Sequence, residues 1–254
     1  MATFAPSEER FSARREAFAE LKIRFQAAQG SVRASIDSYI PSALPPLDDL
    51  LGGGFPRGTL TTLEGTGSSG RWSIAARLLA QGTQRGLAAV VDEGELYPPD
   101  LLQAGVRLER LLVVPSRSAV GTARAADILI RSRACRVVVM PAPSLRSAVW
   151  SRLAGLAHSA GALLLVVTPR APGELAAAAS VRLACVRERV SMCGVRGVWC
   201  TFAGFEFRVE LRKHKRAAIG AHARLRAVVH GDGAPLRVRP IGGHAVRTAE
   251  VTAV

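Results

Sequence analysis

With 254 residues, 48% apolar side chains and a net charge of +14, the chain has material for one sizeable globular core, and its composition excludes a disordered or fibrous protein. Its longest apolar runs, such as Ala162–Val167, are far too short to cross a bilayer, and residues 1–15 carry no secretory signal, so a cytoplasmic protein with no membrane partner is expected. The isoelectric point near 11.2 marks a surface that attracts phosphate backbones or acidic proteins, although arginine spread along the whole chain also serves as a general solubiliser.

The first predicted element is an amphipathic helix over Ser7–Ala27. Phe11, Phe18, Leu21 and Phe25 fall at helical spacing with charges between them. Such a stripe must be covered, either by a groove on a partner or by the protein's own domain, and both outcomes are open. A polar linker follows over Gly30–Ile40. Pro41, Pro45 and Pro46 break the chain before Leu47–Leu51, and Gly52 to Gly54 with Pro56 make a turn.

From Thr59 the pattern alternates. Strands are expected at Thr59–Leu63, Leu87–Val91, Leu111–Val114, Val137–Met140 and Leu163–Thr168. Helices are expected at Ser73–Arg85, Pro98–Ala104, Ala123–Arg133, Arg146–Ser159 and Pro172–Ala179. Solidly apolar strands separated by helices indicate an α/β fold, with a mostly parallel central sheet covered on both faces. Beyond Val181 the texture changes to strands joined by tight turns, at Val181–Val190, Gly197–Thr201, Phe205–Arg212 and Leu225–His230. These predict an antiparallel extension of the same sheet at the C-terminal side. The expected division is 1–39 for helix and linker, 40–216 for the core and 217–254 for a basic segment. Half the net charge lies from Arg208 onward, where ten Arg and Lys face Glu210, Asp232 and Glu250.

Cys135, Cys185, Cys193 and Cys200 form no C-x-x-C pair and have no histidines at finger-like spacing behind them, so they read as small, mostly buried apolar residues and not as a zinc site. His214, His222 and His230 recur every eight residues without a metal-ligand pattern.

The segment Gly65-Thr66-Gly67-Ser68-Ser69-Gly70 follows a strand and opens a helix. It matches the first six positions of the phosphate-binding pattern G-x-x-x-x-G-K-[ST]. In that pattern backbone N–H groups curl around phosphate, the lysine reaches the β- and γ-phosphates, and the hydroxyl holds Mg²⁺. Here Arg71 stands for the lysine and Trp72 for the hydroxyl residue. Arginine keeps the charge but is bulkier and forked. Indole offers a metal no oxygen, and Ser73 lies about 100° further round the helix. The second metal requirement is an aspartate closing a core strand, but Val137–Met140 runs into Pro141-Ala142-Pro143. Asp92, Glu93 and Glu95 follow another strand and read as loop solvation or a helix cap. ATP and Mg²⁺ are therefore not expected as cofactors, and no catalytic residue is assigned. The Trp72 ring is expected to pack in or over the space a nucleotide would take. The surviving backbone donors leave room for a bound phosphate or sulfate.

Taken in order, several segments resemble the RecA superfamily: 40–58, the loop from Glu64 to Gly70, Val91-Asp92 with Tyr97-Pro98-Pro99, Ala104-Gly105-Val106, Leu111–Val114, 179–183 and 208–215. Within it, the chain is similar to the ImuA type of accessory protein, encoded beside a Y-family-like polymerase (ImuB) and a second, replicative-type polymerase in bacterial mutagenesis cassettes. The resemblance implies a RecA-like core that works through contacts in the SOS response and translesion synthesis, with RecA and those polymerases as partners. It also implies that Lys213 and Lys215 match a lysine pair that in RecA reaches a neighbouring subunit's nucleotide; an exposed strand end is the plainer reading. The segments Pro141–Leu163 and Thr168–Ser180 leave little room for RecA's two DNA-binding loops. The alternatives are an active ATPase using Arg71 with another acid, and a basic module that binds DNA weakly and without sequence preference through Arg208–Arg247.

Overall fold

The computed structural model describes residues 38–94, 96–195, 199–214, 217–228 and 237–240. The chain divides into two units, 1–38 and 39–254. The expected helix over Ser7–Ala27, with Phe11, Phe18, Leu21 and Phe25, lies outside the described residues.

A short antiparallel pair, β1 (Tyr39–Ile40) and β2 (Phe55–Pro56), brackets helix α1 (Pro45–Leu50). Among the described residues the main sheet has nine strands: β3 (Thr59–Glu64), β4 (Leu87–Asp92), β5 (Leu111–Pro115), β6 (Cys135–Pro141), β7 (Leu163–Thr168), β8 (Val181–Val195), β9 (Trp199–Lys213), β10 (His222–Val228) and β11 (Arg237–Pro240). Their order is β11-β10-β9-β8-β3-β7-β6-β4-β5. The six from β8 to β5 are parallel, and β9, β10 and β11 extend the sheet in antiparallel register. The connecting helices are α2 (Arg71–Arg85), α3 (Pro98–Gln103), α4 (Ala119–Arg131), α5 (Ser147–Ala160) and α6 (Gly173–Ala178). The mostly parallel α/β sheet with an antiparallel C-terminal side is as expected from the sequence. Among the described residues, no helix is long and apolar enough to cross a membrane.

The solid apolar strands have a direct cause. Successive side chains point to opposite faces, and both faces are covered. In β7, Leu163, Leu165 and Val167 join the layer of α1 and α2, with Leu47, Ile74 and Leu78. Leu164 and Val166 join the opposite layer of α4 and α5, with Ile130, Trp150 and Leu153. Each such fully buried side chain contributes roughly 1.5–3 kcal/mol.

Two boundaries differ from expectation in instructive ways. Helix α4 begins at Ala119, four residues before the expected Ala123, because the Ser118 hydroxyl accepts the Gly121 N–H at 3.1 Å and caps the first turn. Of two strands expected at Gly197–Thr201 and Phe205–Arg212, the described part of the first, from Trp199, runs continuously into the second as one strand, β9. Gly204 joins them at φ +143°, where a Cβ would collide with the Ala227 carbonyl of β10, so the glycine marks a close approach between strands and not a turn.

Candidate functional site

The loop Gly65–Gly70 lies where the strand pattern puts it, between the end of β3 and the first residue of α2. Ser69 and Gly70 are buried, whereas Gly67 and Ser68 are exposed. Gly70 closes the loop at φ +86°, and a Cβ there would sit 2.6 Å from the Phe207 ring of β9. The left-handed backbone and the ring together demand glycine. The loop is thereby seated on the antiparallel side of the sheet.

Helix α2 begins two residues before the expected Ser73, so Arg71 and Trp72 occupy its first turn. From there the Arg71 guanidinium folds back over the loop. Its Nη1 donates to the Gly65 carbonyl, to the Gly67 carbonyl at 3.2 Å and to the Ser69 hydroxyl at 3.4 Å. A cation held by the loop's own oxygens occupies ground that a phosphate would need to enter.

The Trp72 ring is 38% exposed and forms part of the wall of a cavity of about 630 Å³ that also borders Ser73. The other walls come from Val91, Asp92 and Glu93 at the end of β4, from Leu96, Tyr97, Asp100 and Leu101 of the following turn and α3, and from Arg77 and Pro141. Strand β6 ends at Pro141, so this wall offers the cavity a proline where a metal-holding carboxylate would stand. Asp92 accepts the Leu96 N–H at 3.2 Å through Oδ1, so it braces its own loop, and Glu93 is exposed. Glu95 lies outside the described residues. Among the described residues, no group of three His, Cys, Asp or Glu side chains is placed to hold a metal ion.

A second cavity, about 580 Å³, opens on the other side of the loop. Thr66, Ser69, Arg170, Arg182, Arg187 and Arg212 line it. At its base is a residue that sequence reasoning passed over. Glu64, the last residue of β3, takes a forked pair of bonds from Arg182 (Nε to Oε1 2.8 Å, Nη2 to Oε2 3.0 Å), the Ala171 N–H at 3.2 Å and the Thr62 hydroxyl at 3.0 Å. Burial alone would raise its pKa, but the Arg182 guanidinium and the two other donors outweigh burial and hold it below the ordinary carboxylate value. The signal available in sequence was slight: a carboxylate closing an otherwise uncharged strand. Beside it, burial pushes the Cys185 thiol up to about 12, so it stays protonated and inert. Cys135 is also buried, Cys193 is exposed against the expectation of mostly buried thiols, and all three are free.

Lys213 does not extend into solvent. Its Nζ donates to the Ala176 and Ala177 carbonyls at 3.1 and 2.9 Å, which caps the C-terminal end of α6 within the same chain. Lys215 lies outside the described residues. His214 accepts the Ala217 N–H through Nδ1 at 2.9 Å.

The sheet order, the strand–loop–helix unit and the antiparallel closing strands define the RecA-superfamily fold. The comparisons with known proteins agree. A family model described as the MT3502 N-terminal domain matches residues 49–173. The chain is 37% identical over 103 residues to RecA of Picosynechococcus sp., covering 40% of this chain and 30% of that protein. Against RecA of Treponema denticola it is 34% identical over 132 residues, covering 48% and 32%. Against RecA of Bacillus subtilis it is 36% identical over 106 residues, covering 41% and 30%. The chain thus spans about a third of the length of the curated relatives it matches. Among solved structures, the crystal structure of the RadB recombinase superposes with a TM-score of 0.60 at 18% identity, covering 80% of this chain and all of that one. The chain therefore has a RecA-like fold and is similar to RecA over less than half of its length.

Proposed function

We propose that this RecA-like protein is non-catalytic and acts by contact, as an ImuA-type accessory factor of the SOS response and translesion synthesis in the bacterial cytoplasm. The observation that carries the reading is the Arg71 guanidinium seated on the Gly65 and Gly67 carbonyls. With indole in place of the metal-binding hydroxyl and Pro141 closing β6, the groups that would position Mg²⁺ and a γ-phosphate are replaced together. The partners are RecA, the Y-family-like polymerase ImuB and its associated replicative-type polymerase; the similarity to RecA and to ImuA-type proteins supports this set. The test has two parts. Mg-ATP turnover by the purified chain should stay at background, and turnover at an ordinary P-loop rate that Arg71→Ala abolishes would overturn the reading. Retention of RecA or of the polymerase is expected for the full chain, and retention of neither removes the accessory role. Comparing the full chain with one starting at Ser31 tests the 7–27 segment as the RecA contact: equal retention rejects it.

A second reading is weak, sequence-independent binding of nucleic acid. The four arginines around the second cavity favour it, together with the charge surplus from Arg208 onward. Affinity for single-stranded DNA should fall steeply with salt; tight, salt-resistant binding would contradict this reading.

A further inference from the structure

The cavity beside Trp72 has a chemistry unlike the rest of the molecule. Of the described residues that line it, three carry a carboxylate, Asp92, Glu93 and Asp100, and only Arg77 carries a positive charge. The surplus of two negative charges lies on a chain of net charge +14. Most of its other walls are apolar or aromatic: Trp72 is 38% exposed and Tyr97 63%, and Leu96 and Leu101 belong to the same lining. A volume near 630 Å³ is in the range of sites that enclose a ligand of several side chains.

Each of these features selects against a triphosphate and for a basic, apolar peptide. Phosphates would meet a negative field here and a guanidinium already bound to the loop. A guanidinium or ammonium group meets carboxylates and the faces of two aromatic rings, which attract cations. A neighbouring leucine or aromatic side chain meets the apolar residues Val91, Leu96 and Leu101 of the same lining. We propose that this cavity is a docking pocket for a basic, apolar peptide segment of a partner protein. An arginine or lysine of that segment pairs with Glu93 and Asp100, and its apolar neighbour packs on Trp72 and Tyr97. The proposal rests on the reading that the loop no longer takes a nucleotide.

The test uses the full chain and fluorescence anisotropy with two fluorescein-labelled hexapeptides. One alternates arginine with leucine and phenylalanine, and the other carries glutamate in place of arginine. Because a net charge of +14 disfavours cations on the chain as a whole, attachment of the basic peptide reports this local field. The basic peptide is expected to bind about tenfold tighter than the acidic one or more, and Glu93→Gln with Asp100→Asn, or Trp72→Ala alone, should weaken it about fivefold. Thermal unfolding of each variant verifies that it folds. Equal binding of the two peptides overturns the proposal, as does a basic peptide indifferent to both sets of variants. A parallel titration with Mg-ATP separates the two claims. Saturable ATP binding that displaces the basic peptide overturns the docking pocket. Turnover of ATP with the peptide still held, and still lost on Glu93→Gln with Asp100→Asn, keeps the pocket and rejects the non-catalytic reading.

Discussion

The two cavities flanking the phosphate-type loop have opposite chemistry. On the β4 side, carboxylates, Trp72 and Tyr97 border a space with an apolar floor. On the β8 side, Arg170, Arg182, Arg187 and Arg212 border a polar one. Between them, Arg71 is bound to the loop's oxygens. The difference lies in the side chains on either side of one loop. The loop glycines are required by packing, as Gly70 against Phe207 shows, so they persist whether or not phosphate is bound. The side chains around them are free to diverge, and the two sides have done so in opposite directions.

The largest expected effect comes from removing what separates the two sides. Gly70→Ala places a methyl group 2.6 Å from the Phe207 ring at a left-handed backbone angle. Strain and overpacking together should cost about 3 kcal/mol in urea unfolding, and a loss below about 1 kcal/mol would show that the loop is not clamped by β9. Next is the base of the basic side. Glu64→Ala leaves Arg182, the Ala171 N–H and the Thr62 hydroxyl without their shared acceptor, for a loss on the order of 2 kcal/mol, reduced from a fully buried pair because Arg182 is partly exposed. A double-mutant cycle with Arg182→Met should recover much of it, and strict additivity would show that the pair is not coupled.

The same carboxylate sets a pH dependence. The folded-state pKa of Glu64 lies below the ordinary carboxylate value of about 4.5, so the unfolded chain takes up this proton first as pH falls. Its contribution is complete above the unfolded value and is lost as pH drops through the folded one. Wild type should therefore lose stability below about pH 4.5 more steeply than Glu64→Gln does; parallel curves would assign the acid sensitivity to other groups. The smallest effect is on the arginine-lined side. Arg170→Gln with Arg187→Gln should lower the salt slope of single-stranded DNA binding by one to two, at about one per arginine that meets a phosphate, and an unchanged slope would place any DNA contact elsewhere.

Much of this arrangement was legible in the sequence, for identifiable reasons. A parallel sheet covered on both faces needs apolar runs such as Leu163–Val167, and no other common element explains them at that length. The loss of the lysine, the hydroxyl and the β6 carboxylate could be read directly, because each is one residue at a fixed spacing. The destination of side chains could not. That Arg71 turns back onto the loop depends on a side-chain rotamer the pattern does not encode, and that Lys213 caps α6 depends on backbone more than thirty residues away. The Glu64–Arg182 pair joins residues 118 apart, a separation at which periodicity carries no information. Nor does a one-residue pattern distinguish a glycine that turns the chain from one, like Gly204, that lets two strands approach.

The central position of β3 has a consequence for synthesis on the ribosome. This strand is the first of the main sheet to be made, yet its two neighbours are β7 and the start of β8, complete only when Ala184 has been added. Strands β4 to β6 can pair with one another as they emerge, and β8 to β10 form a local meander. Until the nascent chain passes that point, Thr59–Glu64 has no complete seat, and long-range pairing of this kind is slow because loop closure precedes its reward. Stalled chains ending near residue 175 should therefore be cleaved readily around Thr59–Gly70, while chains extended past Lys213 resist; early protection would mean that β7 alone is enough to fix the strand.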